Sequence, residues 1–583
     1  YNHILQDVIF NGGGVAVIDI NNDGLQDLFF AGNQVSDKLY LNEGGLKFKD
    51  ISESAGITNP TWSNAVAVAD VNNDGLLDIY VGKYMLSTPS ECRNSLYINN
   101  GDNSFTDKAV EYGVADEGFC TATNFFDYDM DGLLDLYVGN QPFVDRGIKY
   151  SGLEAQVDKK KYTDRLYRNL GNGKFEDVTH AAGITNYNYT LSCTVSDFNN
   201  DGLPDIYIAS DYEEPDIIYQ NNGDGTFENV TNQVLRHMSN FSMGVDVADF
   251  NNDGFMDIYV ADMVAADNYR LKANMSGMNP QRFWELANSG FHYQYMFNMM
   301  QLNNGNGFFS EIGHLAGVSN TDWSWATLFA DYDNDGDKDL LVTNGLVKEV
   351  KNKDYINRRA VIMDSIANEA RKQGVVDPKI QSIDIAETAP SVKLHNYIYS
   401  NRGDLSFNNQ VIEWGFEKET WSNGAIYSDL DNDGDLDLVI SNMNDVADLY
   451  ENKASDLKLN NFLQVRLEGD KGNNLLSYGA RVTIYIGDEM QVQEMSPTRG
   501  YLSSCEPMLH FGIGANKSVD KLEVRWQDGS KLEMSNVAAN QVLTLKQGEA
   551  TGNGPIVTKD VTPVFTDLFG QTGIDFTFTD NDF

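Results

Sequence analysis

The sequence predicts an all-β chain dominated by a seven-bladed β-propeller, with a small β-rich domain behind it. Three observations carry this. A nine-residue acidic motif, D-x-[DN]-x-D-G-x-x-D, occurs seven times. Every copy lies between a short alternating apolar stretch and a β-branched or aromatic run. Each unit then reaches an apolar pair ending in Asn. A repeat of this kind organises a chain of 583 residues that is too long for one ordinary core.

The motifs begin at Asp19, Asp70, Asp127, Asp197, Asp249, Asp331 and Asp429. Stretches such as AVAVAD lead into them, and LFF, IYV, LYV, IYI, IYV, LLV and LVI follow, all of which read as strands. The apolar pairs end at Asn42, Asn99, Asn169, Asn221, Asn303, Asn401 and Asn452. In six units a Gly-bearing turn then leads to Phe48, Phe105, Phe175, Phe227, Phe309 or Phe407. Strand, loop, strand, strand, turn and strand make one four-stranded blade, and residues 1–453 hold seven of them. The seventh unit lacks its Phe strand until FTDLFGQTG, Phe565 to Gly573. Residues 562–583 therefore either close blade seven or begin a second propeller. The second reading is favoured because the pattern stops midway. Residues 264–300 and 347–395 read as helix-bearing insertions, which in such folds map to loops on one face.

The formal net charge is −44. Such a chain repels nucleic acid and anionic membrane surfaces, and no apolar run reaches the roughly 18–20 residues of a membrane span. Crowded carboxylates also repel one another unless cations lie among them. Calcium takes six to eight oxygen ligands, and the first loop offers the side chains of Asp19, Asn21, Asp23 and Asp27 with the backbone carbonyl of Leu25. The equivalent sets are Asp70, Asn72, Asp74, Leu76 and Asp78; Asp127, Asp129, Asp131, Leu133 and Asp135; and Asp197, Asn199, Asp201, Leu203 and Asp205. The last three are Asp249, Asn251, Asp253, Phe255 and Asp257; Asp331, Asp333, Asp335, Asp337 and Asp339; and Asp429, Asp431, Asp433, Asp435 and Asp437. Position twelve is an apolar strand residue in every copy, so the loops are not EF-hands. About seven calcium ions are expected.

The seven loops and their flanking phrases resemble the FG-GAP or VCBS repeats of integrin-α-type propellers over residues 1–453. Residues 459–548 resemble the ASPIC/UnbV domain, through SYGARVTIY (Ser477 to Tyr485), TRGYLSS (Thr498 to Ser504), LHFGIG (Leu509 to Gly514) and LEVRWQDGS (Leu522 to Ser530). The pairing is similar to the cartilage-acidic-protein-like group, and FHYQYMFNMMQLNNGNG and TDWSWA resemble its large Bacteroidetes surface members. The resemblance implies an extracellular or outer-membrane-surface protein, with a lipid anchor upstream of the residues shown. It implies a non-enzymatic binding or scaffold module. Its partner would be a surface protein, such as an outer-membrane transporter or lipoprotein complex, or a glycan. The alternative is a carbohydrate-active enzyme with carboxylates at the axial mouth of the propeller.

Other features have plainer readings. Arg402-Gly403-Asp404 occupies the place of a repeat turn. Trp62, Trp323 and Trp421 share one repeat position and read as blade-packing residues. His180, His237, His292, His314 and His395 show no metal-ligand spacing. Cys92 and Cys120 are either a disulfide or two buried thiols. No catalytic fingerprint is present.

Overall fold

The computed structural model describes residues 10–553, except 60, 85–92, 143–162, 213, 275–278, 374–387, 459 and 471–473. The segment 562–583, Cys92 and the lysines at 159–161 thus lie outside the described residues.

Seven antiparallel sheets follow one another along the chain. Their first strands are Val15–Ile18, Ser63–Ala69, Phe119–Phe126, Tyr189–Ser196, Val245–Ala248, Asp322–Ala330 and Ser422–Ser428. Each first strand packs against that of the next sheet, and the seventh packs against the first, so the ring closes as a β-propeller. Within a sheet the motif is the hairpin between strands one and two, as in Ser63–Ala69 and Asp78–Lys83. Six sheets have the four strands of a blade, and the seventh has three among the described residues.

The inner strands are buried along almost their whole length. Their small residues allow close approach at the axis, while larger side chains fill the space between sheets. Phe126, Tyr137, Val195 and Ile208 make one such cluster between sheets three and four, and Phe250, Tyr259, Phe329 and Val342 make another between sheets five and six.

The predicted insertions hold the helices Asn268–Asn274, Pro280–Asn288 and Lys353–Gln373. The helix at 280 starts with Pro at its first turn, and the Asn279 side chain accepts the N–H groups of Gln281 and Arg282. Arg270 ties the two insertions to sheet six, donating to Asp322 and to Glu349 at 2.5 Å each. Asn352 also donates to Asn274 at 3.0 Å.

Residues 461–553 form two further sheets, of three and five strands, packed on a core that includes Val465, Phe511, Val482 and Leu522. From this domain a finger, Thr498–Ser504, enters the propeller axis. Its strand Ser503–Ser504 pairs in parallel with Val15–Ile18.

Candidate metal loops and axial cavity

All seven motifs fold in the same way. In the first, the Asp19 carboxylate accepts the N–H groups of Asp23 and Gly24 at 3.1 and 2.9 Å, and Asp23 accepts that of Leu25 at 2.9 Å. The fourth residue is in the left-handed region in every loop (Asn22, Asn73, Met130, Asn200, Asn252, Asn334, Asn432). Asn tolerates that conformation better than most residues. Gly24 follows at φ 83°, which turns the chain back on itself.

The ninth position, Asp27 and its equivalents, is buried. Asp27 accepts the N–H of Ile20 at 3.1 Å on one oxygen and that of Asn42 at 2.6 Å on the other. The same pair of bonds recurs at Asp78, Asp135, Asp205, Asp257, Asp339 and Asp437.

Three of the loops, all with Asp at position three, bring three carboxylates together. Carboxylate oxygens of Asp127, Asp129 and Asp135 lie within 4.8 Å of one another, as do those of Asp331, Asp333 and Asp339, and of Asp429, Asp431 and Asp433. In the other four loops Asn21, Asn72, Asn199 and Asn251 stand at position three, where the side-chain amide donates to the Asp at position five and its oxygen accepts that residue's N–H. The Asp337 side chain accepts from Asn252, and that of the buried Asp435 accepts from the Ser455 N–H.

Burial is the main force on these carboxyls, and their mutual repulsion adds to it. It pushes Asp27, Asp127 and Asp249 up to about 7, and Asp78 and Asp437 up to about 8. Asp135, Asp205, Asp257 and Asp339 are driven well above the usual carboxylate range. Asp129 Oδ1 and Asp435 Oδ1 are buried with no hydrogen-bond partner among the described residues. Clustered oxygen donors in this state fit a hard divalent cation, which reverses the repulsion.

Two rings of asparagine bonds were not foreseen from the sequence. The Asn ending each strand three donates to the preceding sheet, at the carbonyl of motif position two. Asn42 reaches Leu430, Asn99 Ile20, Asn169 Val71, Asn221 Tyr128, Asn303 Phe198, Asn401 Phe250 and Asn452 Tyr332. On five of the seven loops, position four donates to the Gly carbonyl of the next loop, an incomplete second ring: Asn22 to Gly75, Asn200 to Gly254, Asn252 to Gly336, Asn334 to Gly434 and Asn432 to Gly24. The signal in the sequence was the repeated Asn at a position that metal ligation does not use.

The C-terminal domain sits on the loops. Gln464 donates to Asp429 at 2.8 Å, Arg525 lies 3.5 Å from Asp197, and His510 bonds Asn334 at 2.5 Å. Its finger then lines the axis. The Leu502 carbonyl accepts the Val66 N–H at 2.9 Å, Gly500 accepts from Val245 at 3.1 Å, and Ser503 accepts from Val15 at 3.2 Å. Gly14 is required here, because a Cβ would fall 1.8 Å from the Leu502 carbonyl oxygen. The axial mouth on the loop side is therefore occupied by protein.

At the other end the axis opens into a cavity of about 370 Å³. It lies where the first strands begin and the second strands end, opposite the loops. Leu191, Met243 and Trp325 are its buried residues at the axis, and Asn279, Arg282, Phe283, Lys351 and Lys353 come from the insertions. Trp325 packs on Tyr501 of the finger at 5.3 Å.

The three repeat-position tryptophans have separate fates. Trp62 is buried and donates to Asn64 at 3.0 Å, Trp421 donates to the Val392 carbonyl at 2.8 Å, and Trp323 lines the cavity. Packing describes the first, and Trp323 both packs against the core, with Trp325 at 6.5 Å, and lines the cavity. Arg402-Gly403-Asp404 is a turn, with Asp404 accepting the Ser406 N–H at 3.2 Å. Cys120 is a buried thiol.

Comparison with known families and proteins agrees with this architecture. The FG-GAP-like repeat family matches residues 19–81, 84–138, 157–208, 197–260 and 290–342, and the ASPIC and UnbV family matches 469–552. Cartilage acidic protein 1 of Xenopus tropicalis is 24% identical over 556 residues, covering 91% of this chain and 72% of the relative. The Homo sapiens protein of the same name is 23% identical over 559 residues, covering 91% and 70%. Integrin alpha-6 of Gallus gallus is 31% identical over 145 residues, covering 23% and 13%. No helix among the described residues is long and apolar enough to cross a membrane. The chain is built of FG-GAP-like repeats followed by an ASPIC and UnbV domain, an all-β architecture homologous to cartilage acidic protein 1 over most of its length.

Proposed function

We propose that this chain is an extracellular calcium-binding propeller acting as a non-enzymatic binding module, with recognition on the face opposite the metal loops. The observation that carries this reading is the difference between the two faces. The loop face is covered by the chain's own C-terminal domain, whereas both long insertions converge around an open cavity on the other. Exposed Tyr269, Trp284, Phe291 and Tyr293 add aromatic contact area on the first insertion, as a protein or glycan partner requires.

Calcium suits the loops, because the site mixes carboxylate, amide and carbonyl oxygens in a flexible turn. Extracellular modules of this kind bind it at roughly 10⁻⁴–10⁻³ M. Placement at an outer-membrane surface, an upstream lipid anchor and docking to a transporter or lipoprotein complex rest on the sequence resemblance. Against a glycosidase, which uses two carboxylates, Asp211 is the one carboxylate among the described residues lining the cavity.

The test has two parts. Calcium titration of chelator-stripped protein is expected to load one ion per loop, and incubation with acidic and neutral polysaccharides is expected to leave them intact. Absence of calcium binding, or cleavage of a polysaccharide, would refute the reading.

A further inference from the structure

We propose that the axial cavity binds an acidic saccharide, with sugar rings against its aromatic wall and the carboxylate or sulfate held by Arg282, Lys351 and Lys353. This rests on the binding-module reading above and names its ligand.

The first argument is charge. The chain carries 86 acidic and 42 basic residues. Among the described lining residues three basic side chains stand against Asp211, with Arg282 also 3.7 Å from Glu285 and Lys353 donating to the Lys272 carbonyl at 2.7 Å. A basic recess on so acidic a molecule attracts anions that the rest of the surface repels. The second argument is hydrogen bonding. The described lining offers the side-chain amides of Asn11, Asn240, Asn279 and Gln294, each of which can both donate and accept. A ligand set among several amides is matched by groups that themselves accept and donate, as hydroxyl groups do. The third argument is shape. The volume lies in the range of small-molecule sites, and the indole of Trp323 and the ring of Phe283 offer apolar faces against which a sugar ring packs.

The experiment uses the calcium-loaded chain, followed by calorimetry and tryptophan fluorescence. The probes are a uronate disaccharide, a sulfated disaccharide and lactose. At least one acidic disaccharide is expected to bind, more weakly as salt is added, and lactose at least tenfold more weakly. Which acidic probe binds identifies the anionic group. Arg282→Glu with Lys351→Glu, both at exposed positions, should weaken acidic-sugar binding at least tenfold while leaving calcium binding intact. Trp323→Ala, which removes the ring from the wall, should weaken it several-fold. Equal binding of lactose, an unchanged affinity in the double variant, or no binding of either acidic sugar at millimolar concentration would overturn the proposal. If the loops load calcium in that same sample, the binding-module reading survives such a failure; if they do not, it falls first.

Discussion

Replacing Arg499 with Ala probes the joint between the two parts of the molecule. Arg499 donates to both oxygens of Asp246, at 3.0 and 3.1 Å, and to the Val247 carbonyl at 2.6 Å. The Asp246 side chain is 1% exposed, and its remaining donor is the Phe329 N–H at 2.7 Å. Arg499→Ala therefore strands a carboxylate in the interior. Removing one member of a buried pair costs about 3–5 kcal/mol, a large part of the roughly 5–15 kcal/mol that holds a domain together.

The expected result is a marked fall in the urea midpoint, read through the fluorescence of Trp325 beside Tyr501. The pH dependence has a definite sign. Burial raises the Asp246 carboxyl and Arg499 opposes that rise. Without Arg499 the folded-state pKa climbs further above its unfolded value, so the penalty is full at high pH and shrinks as pH falls through that raised pKa. The gap between wild type and variant should thus narrow on acidification. Arg499→Ala with Asp246→Asn should recover most of the loss, because no charge is then stranded. A variant within about 1 kcal/mol of wild type, far below the cost of a stranded charge, with a gap that ignores pH, would refute the reasoning.

Three other expectations follow from the loops and rings. Asn303→Ala removes donors to the carbonyls of Phe198 and Met256 at 2.8 and 3.2 Å; a loss of about 2–4 kcal/mol in chemical unfolding is expected from leaving these buried acceptors bare, and Asn304→Ala, on the exposed turn, should cost far less. Chelation should lower the melting temperature, since a ligand bound only by the folded state at a hundredfold its Kd contributes about 2.7 kcal/mol, while Asp127→Ala should remove one ion and raise hydrogen exchange in sheet three alone; loss of every ion from that change would contradict independent loops. Calcium needs the ionised carboxylates, and burial holds Asp78 and Asp437 at about 8, so binding near pH 7 should release protons and weaken from pH 8 to pH 6; an affinity flat over that interval would contradict the assignment.

The loops were legible in the sequence because their donors lie within nine consecutive residues. Hairpin geometry alone then brings Asp127, Asp129 and Asp135 together. The helices of the insertions were legible for the same local reason. The asparagine rings were half visible: recurrence marked Asn42 and its equivalents, but their acceptors lie in another sheet, as with Leu430, 388 residues away. The path of TRGYLSS was not legible at all. Its phrase marks a family, yet its place on the axis depends on Gly14, Val66 and Val245, which are distant in sequence and carry no common pattern. Trp323 shows the same limit, since the repeat position it shares with Trp62 and Trp421 does not decide what lies beside it.

The finger also sets an order of assembly. Val15 and Ser503 are 488 residues apart, yet the Val15 N–H finds its acceptor in the Ser503 hydroxyl. At about 5–20 residues per second, synthesis separates the two by roughly 25–100 seconds. Through that interval the first inner strand waits beside an unlined shaft, with polar groups that only a late-made segment satisfies. A product truncated before Ser503 would leave that shaft unlined and open to chaperones and proteases.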